Sequence, residues 1–70
     1  METLLRKRIK GTIIENIFES DKNCNIRYYN ALNAENYDPE RFYTFEIKIR
    51  HNEDQDPKEL LETAIKNLKN

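Results

Sequence analysis

Two side chains are the natural candidates for covalent chemistry, Cys24 and His51, each the only residue of its type in the chain. A thiolate nucleophile would need the imidazole within hydrogen-bond reach and a carboxylate to orient it. One cysteine and one histidine are also too few for a structural zinc site, and carboxylates by themselves suit harder ions. Gly11 is the only glycine, so no glycine-rich phosphate loop is present. No two carboxylates are spaced as a general acid and base. The expectation is therefore a non-enzyme, with Cys24 a small core residue and His51 a polar strand end. Neither a cofactor, a metal nor a small-molecule substrate is expected.

Binding chemistry is better represented. Arg27, Tyr29, Phe42, Lys48 and Arg50 mix rings and cations, a combination that stacks bases and neutralises phosphates. Arg6, Lys7, Arg8 and Lys10 add a basic cluster. Against this stand a net charge of −1, which gives no global field favouring a polyanion, and an acidic cluster at Glu53, Asp54 and Asp56.

Residues 42–50 carry the clearest positioning signal. Tyr43, Phe45, Ile47 and Ile49 alternate with Thr44, Glu46, Lys48 and Arg50, the pattern of a half-buried strand. Pro57 to about Leu68 reads as a helix. Asp56 is placed to cap it, Pro57 suits its first position, and Leu60, Leu61, Ala64, Ile65 and Leu68 make one apolar stripe. Cys24–Leu32 reads as a strand with Ile26 and Tyr28 on the core face and Arg27 and Tyr29 opposite. Thr12–Glu19 reads as a further strand, joined to it through Ser20–Asn23 as a hairpin. That register sets Ile13 and Ile17 beside Ile26 and Tyr28. Asn33–Glu40 is a loop, anchored by Tyr37. Residues 1–10 fit either a short helix with Gly11 as its C-cap or a strand with Leu5 and Ile9 facing inward.

The fold class expected is α+β in a single small domain, a three-stranded antiparallel sheet with a C-terminal helix packed on one face. The order is β-β-β-α, with or without a short N-terminal helix. Strand order is left open. A chain of 70 residues buries only ~60% of the surface its unfolded form exposes, so a core of this size gives a thin margin of stability. One thiol fits a reducing, cytoplasmic compartment. Residues 1–11 lack the apolar run of a signal peptide, and no stretch approaches the ~20 apolar residues of a membrane span.

One helix covers one face, so the other face should be where the protein meets a partner. In the hairpin register that face holds Ile14, Phe18, Arg27, Tyr29, Phe42, Lys48 and Arg50. The leading expectation is a small regulatory protein, an inhibitor or adaptor of the kind carried by phages and plasmids. It would contact another protein or a second copy of itself through this patch. The alternative is a nucleic-acid binder using Arg6, Lys7, Arg8, Lys10, Arg27, Tyr29, Lys48 and Arg50. In layout the chain resembles the arm-binding domains of phage integrases, which implies DNA contact through the sheet face. Its layout is also similar to double-stranded-RNA-binding domains, but their last helix opens on lysines where residues 54–59 are acidic here. Arg41-Phe42-Tyr43-Thr44-Phe45 resembles the signature of RNA-recognition motifs, departing from it at Phe42, where glycine is expected, and at Glu46.

Overall fold

The computed structural model describes residues 1–20 and 25–68. Five elements follow in order: β1 (Glu2–Lys10), α1 (Gly11–Ser20), β2 (Ile26–Ala31), β3 (Phe42–Arg50) and α2 (Pro57–Asn67). The class is α+β, with a three-stranded sheet in the order β1-β3-β2. β1 and β2 are each antiparallel to β3 and so parallel to one another. Parallel strands require a crossover, and α1 provides it. The result is a split β-α-β unit with β3 inserted between the parallel strands.

β3 is central, and its alternation is realised as read. Phe45, Ile47 and Ile49 are buried, Tyr43 packs against the same core, and Phe42 stands exposed on the opposite face. α2 also begins where its signals place it. The Asp56 carboxylate accepts from the Lys58 backbone N–H at 3.0 Å, and Pro57 opens the helix. Leu61 and Ala64 then enter the core. Residues 1–10 take the strand form, with Ile9 buried and Leu5 packed beside it.

Thr12–Glu19 is a helix, not the strand its isoleucines suggest, and the element order is β-α-β-β-α. Gly11, Ile14 and Ile17 recur every three residues and are its buried face. Isoleucine is a mediocre helix former by a few tenths of a kcal/mol. Burying each of Ile14 and Ile17 is worth about 1.5–3 kcal/mol, so packing decides the conformation. Gly11 starts this helix instead of capping an earlier one. The first free amides of α1 are satisfied by the β2–β3 loop: Gly11 N–H donates to Arg41 O at 3.0 Å and Thr12 N–H to Pro39 O at 2.8 Å.

β2 departs from simple alternation. Ile26 pairs with Ile49 and Tyr28 with Lys48, leaving Arg27 as the extra residue of a bulge. One inserted residue exchanges the faces of everything after it. Tyr29 and Ala31 therefore join the core side, and Tyr28 leaves it. The hairpin turn expected at Ser20–Asn23 and the thiol of Cys24 fall largely on residues 21–24, outside those described. Both helices lie on the side of the sheet that carries Ile9, Phe45, Ile47 and Ile49. Among the described residues no helix is long and apolar enough to cross a membrane.

Candidate functional site

The uncovered face of the sheet is built by every second residue of three strands. β1 contributes Leu4, Arg6, Arg8 and Lys10, and β3 contributes Phe42, Thr44, Glu46, Lys48 and Arg50. β2 adds Tyr28 and Asn30. Register sorts these into rows. Leu4, Lys48 and Tyr28 form one row, Arg6, Glu46 and Asn30 the next, then Arg8 with Thr44, and Lys10 with Phe42. Glu2 is level with Arg50.

Two features give this face its character. Large apolar groups stand open on it: Phe42 is 55% exposed, Leu4 51% and Tyr28 45%. Between them are five cations, against the carboxylates of Glu2 and Glu46. The Glu46 carboxylate is held by Arg6 at 3.2 Å, and Lys10 reaches Glu40 at 3.3 Å. Lys48 Nζ lies 6.0 Å from the Tyr28 ring centre, at the outer limit of a cation–π contact. Arg8, Lys48 and Arg50 enter no ion pair among the described residues. Glu19, Glu59 and Glu62 are exposed on the helices, in the opposite layer. The open face of this nearly neutral chain thus carries more cations than carboxylates, while the helix layer mixes Glu19, Glu59 and Glu62 with the exposed Lys58 and Lys66.

The structure regroups the residues singled out in the sequence. Arg6, Arg8, Lys10, Phe42, Lys48 and Arg50 share the open face, and Arg27 is exposed at the bulge. Ile14 does not belong with them: it is 0% exposed in the core. Phe18 lies on α1, edge-on to Tyr29 with ring centres 5.3 Å apart, and both are on the helix side. Lys7 also faces the helix side, where it lines a groove with Leu5, Lys58, Leu61 and Glu62 that Arg6 and Arg8 border from the β1 edge. The apolar patch expected from Ile14, Phe18 and Tyr29 is therefore not part of this face. Tyr43 and Phe45, the ring positions of the signature resemblance, point into the core, so that resemblance does not extend to the geometry.

Leu4 and Tyr28 belong to the face and are absent from the candidates read in the sequence. Leu4 carried a signal, since a strand with Leu5 and Ile9 inward puts it outward. Tyr28 carried none, because the bulge is invisible to alternation.

His51 stands at the end of β3, as expected of a polar strand-end residue. It is buried, with Nε2 2.6 Å from Thr3 Oγ1 and Nδ1 2.8 Å from Asn52 O. A carbonyl only accepts, so Nδ1 carries a hydrogen, and Nε2 shares the second hydrogen bond with the Thr3 hydroxyl. Beside it Met1 N donates to His51 O, and His51 N to Met1 O, both at 2.9 Å, extending the β1–β3 ladder by one pair. The imidazole locks the start of β1 to the end of β3. No cluster of three metal-ligating side chains occurs among the described residues.

No family model matches this chain, and no curated protein or solved structure matches it.

Proposed function

We propose that the chain binds single-stranded nucleic acid across the open face of its sheet. One observation carries the reading: Arg8, Lys48 and Arg50, free of ion pairs among the described residues, share an uncovered face with the exposed rings of Tyr28 and Phe42. Rings stack on bases of any sequence, and cations beside them meet the phosphates. From Phe42 to Lys48 is roughly 20 Å along the strand, and β1 to β2 spans about 10 Å, which suits a short extended strand. Splayed bases need such a platform, whereas a duplex hides their faces. Such a protein would act as a binding or regulatory module.

The test is anisotropy titration of labelled single-stranded RNA and DNA, with a duplex alongside, at two salt concentrations. Three phosphate contacts give a slope of about −2 in log affinity against log salt. Arg8→Glu with Lys48→Glu should abolish binding in a protein that stays folded, since neither side chain is core. Phe42→Ala should weaken it with little change of slope. Absence of binding at low salt sinks the reading. Leu4 and Phe42 would then mark the same face as a contact for another protein or a second copy.

A further inference from the structure

At the β2 edge lies a recess of about 260 Å³ bounded by Glu15, Tyr29, Asn30, Ala31, Ala34, Tyr37 and Phe45. Its aromatic walls are steeply inclined to one another. Tyr37 meets Phe45 edge-on, with centres 6.4 Å apart and planes at 87°, and Tyr29 is tilted at 59° to Phe45 with centres at 6.2 Å. The Glu15 carboxylate accepts from the Tyr37 hydroxyl at 2.9 Å. No lining residue is a cation, and Glu15 enters no ion pair among the described residues. Burial, followed by Glu15, pushes the pKa of both Tyr29 and Tyr37 up and so suppresses their ionisation, and Glu19 adds to this at Tyr29. A negative charge is unwelcome here.

We propose that this recess binds a small organic cation of the alkylated ammonium class. Ring faces carry negative quadrupole and attract a cation within about 6 Å, and a carboxylate adds a full charge. Alkylation matters because the walls are mostly ring and methyl, with few acceptors. An unsubstituted ammonium would lose its hydration without enough partners, whereas a trimethylammonium group gives up less. The volume is under the ~300 Å³ at which drug-sized ligand sites begin, so the ligand is a headgroup-sized one. Two sources carry that group: a free choline-like molecule, or a trimethylated lysine on another protein. Asn30 borders both the recess and the open face, but none of the cations of that face lines the recess, so the two proposals are tested separately.

The experiment titrates the full chain with choline and follows backbone amide correlation spectra. In parallel it uses the uncharged carbon isostere, in which tert-butyl replaces trimethylammonium, and a trimethyl-lysine peptide. The expected result is saturable shifts at Ala31, Ala34 and Tyr37 with choline. The isostere should bind roughly tenfold more weakly, and Glu15→Gln should weaken choline several-fold. Tighter binding of the peptide assigns the source to a protein side chain, and tighter binding of choline to a free metabolite. Equal responses to choline and its isostere overturn the proposal, as do shifts confined to the open face or none at all. Those comparisons use the unaltered chain, so they decide the matter even if Glu15→Gln fails to fold.

Discussion

Gly11 and Pro39 are in such close contact that no side chain fits between them: a Cβ on Gly11 would lie 2.7 Å from Pro39 Cα and 2.9 Å from Pro39 O. Both are backbone atoms, and Pro39 O is already committed to the amide of Thr12. In an open helix Gly→Ala gains about 1 kcal/mol. Here overpacking of about 1–3 kcal/mol opposes that gain: the Tyr37 hydroxyl, at 2.5 Å, is a side-chain end that could shift, but the two Pro39 atoms are backbone and cannot give cheaply. Gly11→Ala should therefore lower stability, read as a smaller urea midpoint at unchanged m-value. An alanine variant as stable as the parent would show that the loop does not seat on α1 this closely.

The Thr3–His51 bond predicts a matched pair of variants. Thr3→Val keeps the shape and removes the only partner of buried Nε2 described here, which should cost about 1–3 kcal/mol. Thr3→Ser keeps the hydroxyl and should cost less. If valine and serine are equally tolerated, the imidazole is not holding the ends of β1 and β3 together.

What could be read from the sequence and what could not divide along a physical line. β3 and α2 were legible because their evidence is local: nine alternating residues in one case, a cap, a proline and a stripe in the other. α1 was hidden because its N-terminal hydrogen bonds come from Pro39 and Arg41, far along the chain, so no capping residue precedes it. Its isoleucines fit a strand equally well until Ile14 and Ile17 have a core to enter. The bulge at Arg27 was hidden because alternation has no mark for an inserted residue. These two misreadings account for the regrouping of the candidate face. Phe42, Lys48 and Arg50 sit on the well-signalled strand and kept their place, while Ile14, Phe18 and Tyr29 moved with the elements that were misread.

The same regrouping gives a direct contrast between two large apolar residues. Ile14 is fully buried, so Ile14→Ala should cost about 2–5 kcal/mol. Phe42 is mostly exposed on the open face, and Phe42→Ala should cost well under about 1 kcal/mol. Denaturation of the two variants side by side separates a core residue from a surface one. Near-equal losses would mean that something covers the open face in solution.

Tyr37 predicts an alkaline limit to stability. Its hydroxyl is pushed up from 10.0 to about 12, first by burial and then by its hydrogen bond to Glu15 and the charge of that carboxylate. In the unfolded chain the phenol keeps its ordinary value. Between pH 10 and about 12 the folded protein retains a proton that the unfolded chain has released. The unfolded state then binds fewer protons, so stability must fall as pH rises through that window. Below pH 10 both states are protonated and the contribution is fully present. The ring is substantially exposed, so solvent screens the effect and the fall should be modest. Tyr29 is raised in the same direction, again by burial first and then by Glu15 and Glu19, and it should steepen the same limb. Tyr37→Phe removes one ionisable group and should flatten it. The measurement is a series of urea midpoints across the window for parent and variant, with the ring resonances of Tyr37 titrated in the folded state. A Tyr37 ring that ionises at its ordinary value would remove the basis for the prediction. It would also show that the Glu15 carboxylate does not make the recess electronegative.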